Sequence, residues 1–268
     1  MKTAFLADTH IHSIHSFDGH DSIADIAAAA RSAGLSCIAV TDHFECGKVD
    51  SPDQCESLRI RDSVANAALE NGSGLRVLRG LELGQPQCAM EQANALLAEN
   101  DYDFVLGSVH YINDGEDFYW FDYKKVDAAA VYDRYINDVL LVAQNCEFDS
   151  LAHLTYPLRY MTLRDGAKLD ISRFDDIHDA IFETLAKRGK ALEVNTKLIG
   201  RSGGFFTPDA AMLRRFRELG GKLITLGSDS HSASVVGGGI REGIELLREC
   251  GFDSYVIYEN RIPTQIEI

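Results

Sequence analysis

Short apolar runs recur along this chain, and helical patterns separate them. The runs cover residues 4–7, 37–41, 75–81, 104–109, 150–152, 191–194, 223–226 and 254–258. Between them, Ile23, Ile26, Ala27 and Ala30 mark one apolar helix face, opened by Asp21 and Ser22 and stopped by Gly34. Tyr132, Tyr135, Ile136, Val139, Leu140 and Ala143 mark a second. Ile177, Ile181 and Leu185, then Met212, Leu213 and Phe216, then Ile240, Ile244 and Leu247 give three more. Alternating strands and helices predict a parallel sheet with right-handed crossovers. Seven or eight such units in one chain favour a closed or distorted barrel. An open doubly wound sheet is the alternative, but no GxGxxG or P-loop sequence supports a nucleotide-binding version of it. The 268 residues suit one α/β barrel, so residues 1–268 are expected to form a single domain.

Charge narrows the range of functions. The formal net charge is -15 and no Lys/Arg run occurs. A general nucleic-acid binder needs a basic face to displace counterions, so no nucleic-acid partner is expected. A phosphate group would have to be gripped by metals or by a few placed cations. No apolar stretch approaches the roughly 18 residues of a membrane span, and the opening MKTAFLADTHIHS turns polar too early for a signal peptide. A cytoplasmic protein without a membrane partner is the expectation. The six cysteines, Cys37, Cys46, Cys55, Cys88, Cys146 and Cys250, form no CxxC pair and read as reduced structural thiols.

The chemistry lies in the residues that follow the apolar runs. There are nine histidines. The first run leads to His10 and His12, the second to His43, the fourth to His110, the fifth to His153 and the seventh to Asp229 and His231; the third ends at Glu82. In a βα barrel these positions share the C-terminal rim, where active sites are built. Alternate residues of an extended segment point the same way, so His10 and His12 can reach one ion together. Imidazole suits zinc, iron and manganese, and a carboxylate can bridge two ions. The ligand list exceeds one coordination sphere, which predicts two or three divalent metals. His15 and His20 lie in the loop after the first strand and are weaker candidates. Asp18, in the same loop, is a better hard ligand. His178 lies in the helical run 173–188 and is expected on the surface.

The motifs DTHIHS, VTDHF, GLELG, GSVHYI, LAHLTYPLRY, LEVNT and GSDSH, in this order, resemble the polymerase and histidinol phosphatase (PHP) family, and more closely its histidinol-phosphate phosphatase branch. The resemblance runs through the whole chain. It implies a distorted (β/α)7 TIM-like barrel with a trinuclear centre of iron, manganese or zinc. It also implies a ligand scheme. His10, His12, Glu82 and Asp229 would hold one ion. Glu82 would bridge to a second ion bound by His110 and His153, and Asp18, His43 and His231 would hold the third.

Mechanism follows from such a cluster. A metal-bridging hydroxide would attack the phosphorus in line while the ions neutralise the phosphoryl oxygens. His231 or Asp229 would protonate the leaving alkoxide. The resemblance places phosphate-gripping cations in two loops, where Arg159, Lys197 and Arg201 stand. A histidinol-phosphatase-like phosphomonoesterase is therefore the leading expectation. Hydrolysis of another small phosphoester, an amidohydrolase-type reaction and a non-catalytic metal-binding accessory domain are the alternatives. The aromatic loop 111–126, with Tyr119, Trp120, Phe121 and Tyr123, either shapes the substrate pocket or packs over the barrel end.

Overall fold

Seven parallel strands, each followed by a helix, organise the chain in the computed structural model, which describes residues 5–48, 54–72, 74–112, 115, 117–200 and 204–268. The strands of this ring are β1 (Ala7–Ile11), β2 (Cys37–Val40), β4 (Arg76–Gly84), β5 (Phe104–Ser108), β6 (Ser150–Leu151), β7 (Ala191–Asn195) and β8 (Ile224–Gly227), hydrogen-bonded in that order. A short extra strand, β3 (His43–Glu45), continues the line of β2 and pairs in parallel with β4. The helices are α1 (Ile23–Ser32), α2 (Ser57–Glu70), α3 (Met90–Glu99), α4 (Ala128–Asn145), α5 (Asp175–Arg188), α6 (Ala210–Glu218) and α7 (Ile240–Glu249). The expected distorted (β/α)7 barrel is therefore the fold. No described helix is long and apolar enough to cross a membrane.

The distortion lies between the first and last ring strands. β1 meets β8 through a few bonds near the C-terminal rim: His12 N–H donates to Ser230 O at 2.8 Å, and Ser230 N–H donates to His10 O at 3.3 Å. Deeper in the ring side chains bridge the two: the Thr9 hydroxyl donates to Leu226 O at 3.0 Å, and Asp8 Oδ1 accepts the Ser228 N–H at 2.9 Å. The strands are buried on both faces, as parallel strands under helices must be, which explains their unbroken apolar reading.

Local chemistry sets the helix boundaries. Ser22 caps α1 by accepting the Asp25 N–H, and Gly34 follows the helix at φ 74°, where a side chain would be strained. Asp127 caps α4 through Ala129 N and Ala130 N, and Asp209 caps α6 through Met212 N.

Two expectations need correction here. The first strand begins at Ala7, later than expected, so His10 sits within it; Ala4 lies outside the described residues. The eighth run is not a barrel strand. It forms β9 (Ser254–Glu259), paired antiparallel with β10 (Ile262–Glu267). This hairpin covers the N-terminal end of the ring, because its residues bond to the segments that enter the strands. Arg261 N–H donates to Asp103 O at 2.9 Å, and the Tyr255 hydroxyl donates to Phe5 O at 3.0 Å. Tyr258 stacks on Phe104 with ring centroids 5.4 Å apart.

Candidate metal centre

Glu82 lies near the C-terminal end of β4 and is fully buried at the centre of the rim. Its two oxygens divide the surrounding histidines. Oε1 is 2.8 Å from His153 Nε2 and 3.1 Å from His110 Nε2. Oε2 is 3.0 Å from His10 Nε2, 3.4 Å from His12 Nε2 and 3.1 Å from His43 Nδ1. On the far side of the His10–His12 pair stands Asp229, whose Oδ1 is 3.6 Å from His12 Nε2 and 4.0 Å from His10 Nε2. Asp18 reaches in from the β1–α1 loop, with Oδ2 3.0 Å from His231 Nε2 and Oδ1 3.8 Å from His43 Nε2. Residues from six ring strands and their loops thus converge, as the strand-end reading anticipates.

The donor set fits a cluster of cations. Four overlapping groups have ligand atoms within 4.8 Å of one another: His10, His12 and Glu82; His43, Glu82 and His110; His10, His153 and Asp229; and His12, His43 and His231. His12 Nε2, His43 Nδ1 and Asp18 Oδ1 are buried without a hydrogen-bond partner. Such groups are costly unless something else satisfies them. His110 Nε2 and His153 Nε2 are 3.3 Å apart and share one carboxylate oxygen, which suits a shared ion better than a bond between two like rings.

The carboxylates at the centre are held ionised. Burial would raise the Glu82 carboxyl, but the imidazoles of His10, His43 and His110 outweigh it and hold it well below the usual carboxylate range. For Asp229, burial is likewise outweighed by Lys197, Arg159 and His10. Burial pushes His153 down to about 4, and burial with the neighbouring His43 and His231 rings lowers His12. Against burial, the neighbouring carboxylates raise the other three: Glu193 and Glu82 act on His10, Glu45 and Glu82 on His110, Glu82 and Asp18 on His43. The same carboxylates that favour a proton on these rings would favour a divalent cation in its place.

The remaining expected residues separate clearly. Arg159 is buried; its guanidinium donates to Asp229 Oδ2 and to Asn195 Oδ1, each at 2.8 Å. Lys197 Nζ lies 2.7 Å from Asp229 Oδ1 and 3.1 Å from His231 Nδ1. Arg201 lies outside the described residues. His15 turns away toward α2, with Nε2 3.0 Å from Asn66 Nδ2. His20 is exposed and meets the site through its backbone N–H, which donates to His231 O at 3.0 Å.

His178 is a correction. It is only 3 % exposed, on the inward face of α5 with Ile181, Phe182 and Leu185, and its Nε2 is 2.9 Å from the Tyr132 hydroxyl.

Sequence reasoning assigned no role to four buried acids around the cluster. Glu45 Oε1 is 2.8 Å from His110 Nδ1. Glu193, inside β7, is 2.6 Å from His10 Nδ1. Asp42 accepts from Ser13 N, and from the hydroxyls of Ser13, Ser16 and Ser63, clamping the β1–α1 loop. Asp8 accepts from Ser228 N, the Ser228 hydroxyl and Gly237 N, holding the segment that carries Asp229. The only signal was an acid inside an otherwise apolar strand or directly beside a ligand.

Two cavities meet at the cluster. One, of about 470 Å³, is lined by Glu82, His110 and His153 on its floor and by Phe17, Tyr111, Tyr119, Trp120, Tyr156, Tyr160 and Asp117 on its walls. The other, of about 590 Å³, runs along the serine- and glycine-rich segment 228–238. Lys197, Asp229 and His231 line both. The aromatic loop therefore plays both expected parts. Tyr119 and Trp120 face the first cavity, whereas Phe121 and Tyr123 are buried in packing.

Known proteins share this arrangement of sequence and fold. Residues 8–197 match the model of the PHP domain. The chain is 30% identical over 259 residues to a histidinol-phosphatase of Lactococcus lactis subsp. lactis, with 91% of each chain covered. It is 28% identical over 257 residues to a probable histidinol-phosphatase of Clostridium acetobutylicum, covering 95% of this chain and 97% of that one. The crystal structure of the Lactococcus lactis histidinol phosphate phosphatase, complexed with zinc, L-histidinol and phosphate, superimposes with a TM-score of 0.81 at 27% identity. That likeness covers 98% of this chain and 100% of the other. With seven ring strands, a rim of histidines and carboxylates and a match through most of its length, this chain belongs to the PHP domain family.

Proposed function

We propose that this chain is a metal-dependent phosphomonoesterase that hydrolyses L-histidinol phosphate. The carrying observation is the position of Glu82, whose two oxygens face two different groups of histidines. In this reading His10, His12, Glu82 and Asp229 would hold one divalent ion, Glu82, His110 and His153 a second, and Asp18, His43 and His231 a third. Zinc, manganese and iron all suit this imidazole–carboxylate set. Divalent ions bound here would supply an acidified water as nucleophile and neutralise the phosphoryl oxygens.

The chain's own residues do the rest. Arg159 and Lys197 bring two positive charges to the Asp229 side of the cavity, where they anchor phosphoryl oxygens; Arg201, outside the described residues, is a candidate for the same role from the sequence alone. His231 or Asp229, both on the wall between the cavities, would pass a proton to the leaving alkoxide. The P–O bond to that alkoxide breaks as water adds to phosphorus. The tyrosines and Trp120 offer faces to an imidazole or an ammonium, and Asp117 offers a carboxylate. Histidinol carries both groups.

Steady-state kinetics across histidinol phosphate, sugar phosphates, nucleotides and cyclic phosphates test the reading. Histidinol phosphate should have the highest kcat/KM. A higher value for a cyclic diester or a nucleotide would replace the substrate while leaving the metal chemistry in place.

A further inference from the structure

Glu193 belongs to none of the groups whose atoms could ligate an ion, yet its carboxylate touches two of the proposed ligands in different ways. Oε1 lies 2.6 Å from His10 Nδ1. Oε2 accepts the backbone N–H of His153 at 2.7 Å and the Asn195 side-chain N–H at 3.3 Å. His10 and Glu193 are both fully buried, so no solvent shares either contact. We propose that Glu193 is a positioning residue for two ion sites at once: it sets the ring of His10 with one oxygen and the strand end that carries His153 with the other. This rests on the proposed ligand scheme above.

The two contacts do different work. A carboxylate beside Nδ1 keeps the proton on that nitrogen, which leaves Nε2 as the lone-pair atom. Nε2 is the atom that faces Glu82, 3.0 Å away. Orienting carboxylates of this kind commonly alter metal affinity by about ten- to a hundredfold. The second contact acts on the backbone. His153 has φ 24°, a conformation that non-glycine residues rarely adopt and that persists only when its surroundings enforce it. The bond from His153 N–H to Glu193 is one such constraint, and it aims the ring toward Glu82 Oε1 at 2.8 Å.

Two neighbours show that the barrel is shaped around this carboxylate. A Cβ on Gly227 of β8 would collide with both Glu193 Oε1 and the Cβ of His10, so a glycine there is what lets β1, β7 and β8 come together around the pair. From Glu193 the bonding continues through Asn195, which accepts from Arg159, to Asp229. The positioning network thus reaches the clamp as well as the ligands.

The test removes the charge while keeping the shape. Metal-free wild type and Glu193→Gln are titrated with zinc against a chromophoric chelator. Each is also loaded with cobalt(II), whose visible spectrum reports ligand geometry. Positioning predicts that two zinc-binding steps weaken by about ten- to a hundredfold each while the remaining step keeps its affinity. The cobalt bands shift, and the urea midpoint of the metal-free protein does not fall. Glu193→Asp, which keeps the charge but withdraws it by one methylene, should also lose affinity in the same two steps, and covers the case in which the glutamine variant does not fold. Unchanged zinc affinities and cobalt spectra in either folded variant overturn the proposal and leave the ligand scheme standing. A uniform weakening of every step together with a lower metal-free urea midpoint also overturns it, in favour of a purely structural carboxylate. Fewer than two zinc ions on wild type would overturn both the proposal and the scheme beneath it.

Discussion

Arg159 Nη1 lies 2.8 Å from Asp229 Oδ2, so the buried guanidinium meets the histidine–carboxylate cluster through a carboxylate that also faces His12. The arrangement places a fixed planar donor at the edge of the proposed phosphate site. Replacing Arg159 with Ala removes a charge-assisted contact that contributes about 1.5–3 kcal/mol, so kcat/KM should fall by roughly ten- to a hundredfold. Bound metal should stay within the wild-type range, because a guanidinium is no ligand. Lysine should restore only part of the loss, lacking the guanidinium fork. Unchanged kinetics with full metal content would remove Arg159 from the clamp.

His178 gives a prediction that the sequence alone had backwards. A surface histidine would tolerate replacement, but this one is packed against Tyr132 and Phe182. His178→Ala should destabilise the protein by about 1–3 kcal/mol and leave metal content and kcat unchanged. Urea unfolding together with elemental analysis checks this; loss of metal would tie His178 to the site.

The same residue has a pH signature. Burial pushes the His178 imidazole down to about 4, so the folded state holds it neutral while the unfolded chain protonates it near 6.5. Its contribution to stability is therefore present above about pH 6.5 and is lost as pH falls toward 4. The stability gap between wild type and His178→Leu should narrow over that window, by up to about 3 kcal/mol. Because both proteins keep every metal-site histidine, the difference isolates this group. A gap that stays constant from pH 7 to pH 4 would contradict the buried neutral state.

The aromatic loop divides in a testable way. Trp120 is 73 % exposed and lines the cavity, whereas Tyr123 is 3 % exposed and its hydroxyl donates to Phe118 O at 3.0 Å. Trp120→Ala should raise KM for histidinol phosphate several-fold with little change in Tm. Tyr123→Ala should lower Tm, by several degrees, while KM in the folded enzyme stays near wild type. Reversed effects would exchange the two roles.

These residues also show what could be read from the sequence. The ring strands were legible because parallel strands are apolar on both faces. The cluster's residues were legible because histidines and acids follow strand after strand. Strand ends were less so: β1 and β4 run on through His10 and Glu82, since polar residues inside a strand look like its end. Residues 254–258 read as one more barrel strand because β9 is apolar, while its largely exposed partner IPTQIE carries only a weak apolar signal. Helices α2 and α3 went unnamed because each buries only a few residues, such as Ile60 and Ala67 or Ala93 and Leu96. Glu45 and Glu193 were invisible because an orienting carboxylate is defined by what it touches, and their partners are His110, 65 positions away, and His10, 183 away.

The central claim is that Glu82 joins at least two ions in one catalytic cluster. The most direct measurement is elemental analysis of purified wild type and Glu82→Ala, paired with histidinol phosphate turnover on the same samples. The account predicts more than one transition-metal ion per wild-type chain, and a Glu82→Ala protein that has lost both turnover and bound metal. One ion or none in active wild type, or a Glu82→Ala variant that keeps its metal and its activity, would contradict it.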